Sequence, residues 1–320
     1  MHKILLTGGA GFIGSHVLEK LVQHFPESEI TVFDKMTYAA NYENISHNLL
    51  SGRRDLIVGD VCDFKLCKEI TKSADIIIHL AAESHVDNSF GNSLVFSKSN
   101  VLGTHSLLEA ARLNRVPLFI HVSTDEVYGE ISEGSFKESD ILNPTNPYSA
   151  SKASADMLVN SYRYSFNMPV ITIRANNIYG VRQFPEKIIP KFTLQLIKRT
   201  KLTLHGNGKN TRHYLSAKDF ANAIIVLVER GKVGEIYNIG SHDEYKNIEI
   251  AEMVCNCFSL PVDKNITFTD DRPFNDSRYS LDFHKIKGLG WTQSCNLEKD
   301  LPSIIQWYKD NIQRYSDFPL

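Results

Sequence analysis

The stretch Thr7-Gly-Gly-Ala-Gly-Phe-Ile-Gly14 decides the fold of this chain. It follows a short apolar run at residues 4–7 that is typical of a buried strand. It opens a segment at residues 15–25 whose apolar side chains lie on one face of a helix. Its glycines have the spacing G-x-G-x-x-G, which allows a tight turn and lets a pyrophosphate approach the backbone at a helix N-terminus. The sequence therefore predicts a dinucleotide-binding turn between the first strand and the first helix.

Similar apolar runs recur through the first 180 residues and alternate with helical segments. Because such strands separated by helices are typical of a parallel sheet covered on both faces, we predict an α/β fold with a Rossmann-type doubly wound parallel sheet. Beyond residue 180 the chain is richer in loops, which indicates a smaller C-terminal α/β subdomain for the substrate. The predicted strands cover residues 4–7, 30–33, 56–58, 76–82, 118–122, 170–174 and 235–239, and the predicted helices cover residues 15–25, 100–114 and 149–166.

An acidic residue about 20 residues beyond the glycines is expected to bind the adenosine ribose of a dinucleotide. Asp34 ends the second predicted strand at that distance, and its carboxylate can accept hydrogen bonds from both ribose hydroxyls while repelling a 2′-phosphate. This favours NAD over NADP, although the neighbouring Lys35 weakens the preference. Asp60, after the next predicted strand, is expected to line the adenine. For both aspartates an ordinary turn at a strand end is the alternative.

The composition is that of an ordinary globular protein. Of the 320 residues, 42% are hydrophobic and 22% are charged, and the formal net charge is −2. This balance favours neither a nucleic-acid nor a membrane partner, and no apolar run reaches the roughly 20 residues of a membrane span. The five cysteines lack the spacing of a disulfide framework, and no signal-peptide pattern precedes the first strand, so we expect reduced thiols in a cytoplasmic protein. Cys255-Asn-Cys257 could be half of a metal site, but its apolar helical context favours core thiols, and we expect no metal.

Tyr148 and Lys152 stand four residues apart at the start of a predicted helix, so both side chains lie on one face. Asn146-Pro147 directly before them is a typical helix start. An ammonium group near a phenol favours the phenolate and lowers the phenol's pKa from about 10 towards working pH. This spacing alone often occurs by chance, but together with the glycine-rich turn and Ser123-Thr124 it indicates a catalytic pair.

The glycine-rich turn, Ser123-Thr124 and the Tyr148/Lys152 pair together resemble the extended short-chain dehydrogenase/reductases. Further stretches are similar to the nucleotide-sugar 4,6-dehydratases of that superfamily, and this similarity runs over nearly the whole chain. They are Ala81-Ala-Glu-Ser-His-Val-Asp87, Thr124-Asp-Glu-Val-Tyr-Gly129, Phe184-Pro-Glu-Lys187 and Asp271-Arg-Pro-Phe-Asn-Asp276. Asn176-Asn-Ile-Tyr-Gly180 together with Arg272-Pro-Phe-Asn275 is closer to the UDP-glucose dehydratase domain of rhamnose synthases than to the bacterial dTDP-glucose enzymes.

The resemblance implies an NAD-dependent conversion of UDP-glucose or dTDP-glucose to the 4-keto-6-deoxy-glucose nucleotide and water, in a rhamnose or other deoxysugar pathway. Tyr148 takes the proton from the sugar O4 while hydride leaves C4 for NAD, Lys152 holds the phenolate and the nicotinamide ribose, and Thr124 binds O4. Elimination of water across C5–C6 then needs a base at C5 and an acid at O6. By resemblance, Glu126 is the base and Asp125 is the acid. Hydride then returns to C6 and a proton returns to C5, so the cofactor is not consumed.

The chemistry of two adjacent acids agrees with those roles. Neighbouring carboxylates in a closed pocket resist double ionisation, so one tends to keep its proton while the other is charged. An isolated Asp-Glu pair is more often part of a solvated acidic loop. Directly after Ser123-Thr124, and in a chain that also carries Tyr148 and Lys152, the functional interpretation is favoured.

The predicted cofactor and substrate residues are spread along the whole chain. Cofactor binding is expected from Gly8, Gly11, Phe12, Ile13, Gly14, Asp34, Lys35, Asp60, Val61, Leu80, Ala81, Ala82, Tyr148 and Lys152. The resemblance assigns substrate binding to Ser84, His85, Thr124, Asn177, Lys187, His205, Arg212, Asn247 and Arg272. Arginine suits a diphosphate because its guanidinium binds phosphate oxygens in pairs. Each of these polar residues could by itself belong to an ordinary turn or surface, and Ser84 could simply cap a helix.

Two other functions stay open from the sequence. A nucleotide-sugar epimerase or decarboxylase of the same superfamily would keep NAD, Tyr148 and Lys152 but would not need both acids. A non-catalytic NAD-dependent scaffold would need none of the five catalytic residues.

The resemblance also bears on assembly and domain organisation. The family suggests a homodimer built on the predicted helices 100–114 and 149–166. We expect an NAD-binding domain at residues 1–180 with a returning segment at about 214–242, and a nucleotide-sugar-binding subdomain at residues 181–213 and 243–320.

Overall fold

A seven-stranded parallel sheet forms the centre of the protein in the computed structural model, which describes residues 1–49, 52–316 and 318. The strands are β1 (Lys3–Thr7), β2 (Glu29–Asp34), β3 (Arg54–Val58), β4 (Ile76–His79), β5 (Leu118–Thr124), β6 (Val170–Ala175), β7 (Asn177–Tyr179), β8 (Leu202–His205), β9 (Thr211–Ser216), β10 (Ile236–Ile239), β11 (Glu244–Lys246) and β12 (Ile266–Thr269). The large sheet has the order β10-β6-β5-β4-β1-β2-β3. The remaining strands pair as β11-β9-β7 and β12-β8.

Helices follow most of these strands. They are α1 (Phe12–His24), α2 (Phe64–Ile70), α3 (Val86–Gly91), α4 (Ser93–Phe96), α5 (Gly103–Leu113), α6 (Pro147–Phe166), α7 (Ile188–Ile197), α8 (Ala217–Arg230), α9 (Asn247–Cys257), α10 (Val262–Asn265), α11 (His284–Lys287) and α12 (Leu297–Asp310). Short 3₁₀ turns lie at Tyr42–Asn44, Ser46–Asn48, Asp125–Tyr128 and Ile312–Tyr315, and a π-helical segment lies at Ser97–Leu102. Among the described helices, none is both long enough and apolar enough to cross a membrane.

The strand order confirms the predicted doubly wound sheet. The order reverses between β1 and β4, because the chain runs outward to β3 on one side and then returns to β4 on the other. In sheets of this kind the crevice for a ligand opens at the carboxyl ends of the strands on either side of the reversal. The glycine-rich turn leaves β1 at this point.

The large sheet is covered by helices on both faces, as the apolar strand runs predicted. On one face Ile4, Leu6 and Ile120 belong to a core that also contains residues of α1 and α8. On the other face Leu5 and Phe119 belong to a core with α5 and α6. Because alternate residues of a strand point to opposite faces, both sets must be apolar, which explains the near-continuous apolar runs.

A third core lies under α7, α9 and α12 and contains β8. Cys255 and Cys257 pack in this core, and both thiols are free. Strand β10 returns to the large sheet, and Phe283 and Trp291, late in the chain, pack into the core of α1 and α8. The division into an NAD-binding domain and a nucleotide-sugar-binding subdomain stays a prediction.

The predicted boundaries of strands and helices differ from the structure by one to three residues, and two of the differences show a local feature of the chain. The strand predicted for residues 76–82 ends at His79, because the N–H of Ala81 donates to the hydroxyl of Thr7 (3.1 Å) instead of to a backbone carbonyl. The helix predicted for residues 100–114 becomes α-helical only at Gly103, after the π-helical segment.

The glycine-rich turn is tightly packed against itself. Gly8 has a φ of 70°, in the left-handed region that favours glycine. At Gly14 an added Cβ would lie 2.1 Å from the carbonyl oxygen of Gly8. The third glycine of the motif therefore lets α1 pack against the end of β1.

Replacing Gly14 with alanine should destabilise the protein by about 3 kcal/mol, because the new methyl group overlaps a backbone atom that cannot move freely. Gly91→Ala is the matched control, since nothing lies within 4 Å of the position of its Cβ. Urea unfolding of both variants measures the effect. Equal free energies of unfolding for the two variants would contradict this account of the turn.

Candidate active site

A cleft of about 430 Å³ opens at the carboxyl ends of the central strands. Every residue predicted to bind the cofactor or the substrate lines it. So do all the predicted catalytic residues except Asp125, which is buried beside the cleft-lining Thr124 and Glu126. The structure therefore brings the predicted site residues, from Gly8 to Arg272, to one cleft.

One end of the cleft has the features that a dinucleotide requires. The close contact of Gly14 with Gly8 leaves the backbone open to a pyrophosphate at the start of α1. The first turn of α1 contains no acidic residue, and no side chain caps its N-terminus. An uncapped helix N-terminus has free N–H groups and a partial positive charge, which suit an anion. The residues present therefore fit the pyrophosphate of NAD.

Asp34 lies at the end of β2, beside this turn. Its carboxylate accepts hydrogen bonds from the backbone N–H groups of Ala10 and Met36, each at 2.9 Å through a different oxygen. Each carboxylate oxygen has a second lone pair that a ribose hydroxyl can use. Lys35 forms an ion pair with Asp60 (2.9 Å), so its ammonium already has an anionic partner. This arrangement suits a free ribose better than a 2′-phosphate.

The two adjacent acids lie where β5 ends and a 3₁₀ turn begins. The hydroxyl of Thr124 donates to Asp125 (3.1 Å) and accepts the N–H of Glu126 (3.3 Å), which fixes the start of the turn. The side-chain amide of Asn176 donates to Asp125 (2.7 Å), and that of Asn146 donates to Glu126 (3.3 Å). Each carboxyl is thus held by its own asparagine.

The surroundings distinguish the two acids. Asp125 is 2% exposed, and burial together with the charge of Glu126 raises its pKa to about 7. Burial also raises the pKa of Glu126, while the positive charges of Arg212 and Lys187 oppose that rise. The pKa of both carboxyls is thus raised, and at Asp125 the charge of Glu126 adds to the effect of burial.

Tyr148 and Lys152 lie on the first turns of α6, as predicted. Asn146 caps this helix, because its side chain accepts the N–H of Ser149 (2.9 Å), and Pro147 occupies the first turn. The ammonium of Lys152 donates to the carbonyl of Val122 (2.7 Å), and burial lowers the lysine pKa to about 8. The α6 cap therefore fixes the position of both catalytic side chains relative to β5.

The expected lowering of the Tyr148 pKa is not found in this structure. Burial and the negative charges of Glu126 and Asp125 raise that pKa, while a hydrogen bond with Thr124 opposes the rise. The prediction considered the ammonium of Lys152 but not the buried acids on the other side of the phenol.

The cationic residues predicted for the substrate have partners within the protein. Arg212 lies over the ring of Tyr279, 4.5 Å from its centroid. Arg272 forms a two-point ion pair with Asp87, with its Nε 2.5 Å from Oδ1 and its Nη2 3.2 Å from Oδ2. Lys187 donates to the carbonyl of Ser84 (2.7 Å).

Among the neutral candidates, the Nδ1 of His205 lies 3.2 Å from the carbonyl oxygen of Asp270. Asn247 begins α9, and Asn177 begins β7.

Sequence reasoning missed the residues that support this site. Asn146 was considered only as part of a helix start. Asn176 and Asp87 were considered only as parts of stretches that resemble the 4,6-dehydratases. Their partners lie 20, 51 and 185 residues away in the chain. A carboxylate that follows a strand end is a usable signal for Asp87, but no pattern of spacing indicates which distant residue an asparagine reaches.

The family model described as GDP-mannose 4,6 dehydratase matches residues 5–303. The trifunctional UDP-glucose 4,6-dehydratase/UDP-4-keto-6-deoxy-D-glucose 3,5-epimerase/UDP-4-keto-L-rhamnose-reductase RHM1 of Arabidopsis thaliana is 46% identical over 98% of this chain and 48% of its own length. The chain thus spans about half the length of this plant relative. The dTDP-D-glucose 4,6-dehydratase of Dictyostelium discoideum is 42% identical over 97% of this chain and 82% of its own.

Solved structures agree with these relatives. The structure of DesIV, a dTDP-glucose 4,6-dehydratase from Streptomyces venezuelae with NAD bound, matches with a TM-score of 0.95 at 37% identity. The match covers 97% of this chain and 98% of that one.

Replacing Glu126 with glutamine should lower the pKa of Asp125 from about 7 towards its ordinary value, because a neighbouring negative charge is removed. Carboxyl ¹³C NMR of aspartate-labelled protein measures the titration, with Asp125→Asn used to assign the signal. Glu133→Gln, in an exposed loop, is the control and should leave the midpoint in place. An unchanged midpoint in Glu126→Gln would show that the two carboxyls do not interact.

Proposed function

The chain belongs to the nucleotide-sugar 4,6-dehydratases of the extended short-chain dehydrogenase/reductase superfamily. On this premise we propose that it is an NAD-dependent 4,6-dehydratase that acts on a glucose nucleotide. The reaction removes water across C5–C6 and yields the 4-keto-6-deoxy-glucose nucleotide. The observation that carries the proposal is the adjacent pair Asp125 and Glu126 at the end of β5, close to Tyr148, with the pKa of both carboxyls raised by burial. A 4-epimerase would not need both acids.

The cofactor end of the cleft supports the choice of NAD. The glycine-rich turn and the uncapped N-terminus of α1 would hold the pyrophosphate, and Asp34 would accept the ribose hydroxyls. Lys152 would donate to the nicotinamide ribose. When bound, NAD supplies an acceptor for the hydride of C4 and later the donor for C6.

Tyr148 and Thr124 act at the sugar O4. The Tyr148 oxygen takes the O4 proton, and the Thr124 hydroxyl hydrogen-bonds the same oxygen. Because burial makes the phenol a weak acid in this pocket, a positive charge must stabilise its phenolate. Lys152 is the cation on the same face of α6.

The two acids act after C4 has been oxidised. Asp125 keeps a proton near neutral pH and donates it to O6 as water leaves. Glu126, whose charged form is favoured by Arg212 and Lys187, takes the C5 proton. The hydrogen bonds from Asn176 and Asn146 hold these two carboxyls in place.

The substrate is expected to be UDP-glucose or dTDP-glucose. Arg212 and Arg272 would bind the diphosphate, with Lys187 nearby. Ser84, His85 and the neutral residues Asn177, His205 and Asn247 would contact the sugar or the base. The plant relative with 46% identity acts on UDP-glucose by its name, and the Dictyostelium relative with 42% identity is named for dTDP-glucose. The nucleotide base must therefore be determined directly.

Incubation of the purified protein with UDP-glucose and with dTDP-glucose should give a product lighter by one water, detected by mass spectrometry. The ratio of the two initial rates identifies the preferred base. A product of unchanged mass in both reactions would support an epimerase instead and overturn the proposal.

Asp125→Asn and Glu126→Gln provide the matched variants of that assay. Both should still form NADH transiently, since Tyr148 and Lys152 are intact, but should release dehydrated sugar more slowly by about 10²–10⁴-fold. Glu133→Gln should keep the activity of the unmodified protein. Full activity of both acid variants would contradict the assigned roles.

We further propose a homodimer formed by the helices on one side of the sheet, and a cytoplasmic location. Large apolar side chains are exposed on α4 and α6, which contact each other: Leu94 is 79% exposed, Met157 62% and Tyr164 69%. Pairing of such faces between two copies would remove them from water.

Sedimentation velocity at micromolar concentration should show a dimer, and Met157→Glu should shift it to a monomer. Phe268→Glu changes an exposed apolar residue on β12, which pairs with β8, and should leave the dimer intact. A monomeric unmodified protein would overturn this part of the proposal.

A further inference from the structure

Two charged side chains near Lys152, those of Asp156 and Arg174, are buried, and neither has a role in the proposed reaction. Asp156 stands one turn after Lys152 on α6 and is buried. Its Oδ1 accepts the Nε2–H of His121 on β5 (3.1 Å), and its Oδ2 accepts the Nε–H of Arg174 on β6 (2.9 Å). The carboxylate therefore ties the catalytic helix to two neighbouring strands of the sheet.

Lys152 and Asp156 contact neighbouring points of the same strand. The ammonium of Lys152 donates to the carbonyl of Val122, and Asp156 accepts from the side chain of His121, the preceding residue. Lys152 is only 5% exposed, so its charged form loses most of its hydration. One carbonyl oxygen does not replace that hydration, and the nearby carboxylate of Asp156 raises the lysine pKa against the effect of burial.

The other titratable groups around Lys152 are Tyr148 on its own helix, His121 on β5 and His79 on β4. Burial lowers the pKa of both histidines, and the charge of Lys152 adds to this effect, so both are neutral at working pH. His121 therefore donates a hydrogen bond to Asp156 without bringing a charge. Tyr148 is protonated until it reacts.

Arg174 is the second cation that faces Asp156. Burial opposes the charged form of Asp156, but the hydrogen bond of His121 and the charge of Arg174 hold its pKa below the ordinary value. Arg174 also donates a hydrogen bond to the hydroxyl of Tyr128 (2.8 Å). One buried carboxylate thus serves two cations.

We propose that Asp156 is a positioning residue that keeps the Lys152 ammonium charged, and that Arg174 limits this effect by sharing the same carboxylate. The alternative is that Asp156 and Arg174 only tie α6 to β6. The inference rests on the proposed function, because there the charge of Lys152 stabilises the phenolate of Tyr148. The charge of Lys152 itself can be measured without any reaction.

The test uses two variants that must act in opposite directions. Asp156→Asn removes the carboxylate, so the Lys152 pKa should fall by about 1 unit or more, as expected for loss of a nearby opposite charge. Arg174→Gln leaves Asp156 to Lys152 alone, so the Lys152 pKa should rise. NMR of lysine-labelled protein measures both titrations, with Lys152→Arg used to assign the signal. The alkaline limb of the kcat/KM pH profile should move in the same direction as the pKa in each variant.

A purely structural role predicts a different result. Both variants would then lower the melting temperature while the Lys152 pKa stayed in place, and this outcome would overturn the proposal. Asp156→Glu keeps a carboxylate and should restore a pKa near that of the unmodified protein. If Asp156→Asn does not fold because Arg174 is left unpaired, Asp156→Asn combined with Arg174→Gln removes both charges and should still lower the Lys152 pKa. If the pKa moves as expected but the pH profile does not, the inference about Asp156 stands and the proposed role of Lys152 fails.

Discussion

The hydroxyl of Thr7 makes the hydrogen bonds on which the cleft depends. Thr7 ends β1, and its Oγ1 accepts the backbone N–H groups of Leu80 (3.2 Å) and Ala81 (3.1 Å) directly after β4. The hydroxyl proton is then left for the Nδ1 of His79, 2.8 Å away. This ends the regular ladder at the point where the strand order reverses. The loop after β4 is held beside the glycine-rich turn, and the two walls of the cofactor site are fixed to each other.

The same edge of the sheet explains why two acids can be adjacent. The hydrogen bonds of Thr124 start a 3₁₀ turn at the end of β5, so Asp125 is directed into the protein and Glu126 towards the cleft. Consecutive residues thus enter different environments, one against Asn176 and one near Arg212 and Lys187. The two carboxyls have nearly the same chemistry, so any difference in their proton affinity arises from this local change of direction.

The sequence predicted the parts of the molecule that depend on local pattern. The glycine-rich turn after β1, the apolar strand runs and the pair Tyr148 and Lys152 each carry their signal within a few residues. The α/β fold, and the single cleft that contains the predicted residues, followed from them. The ion pair of Asp87 with Arg272 joins residues 185 positions apart, and the pKa of Tyr148 depends on how closely α6 packs against the end of β5. Such features are set by the tertiary path of the chain, which residue spacing does not encode.

The pairing of Arg272 with Asp87 has a consequence for turnover. The guanidinium that is proposed to bind a diphosphate already holds a carboxylate in two-point contact, so any diphosphate must compete with an anion tethered in the same cleft. That competition would weaken the binding of substrate and product alike and would leave the groups around C4, C5 and C6 untouched. Binding energy that is equal in the ground state and the transition state does not accelerate the chemical step. With Arg272 in its proposed role, the pairing with Asp87 would ease release of the product without changing the barrier to dehydration.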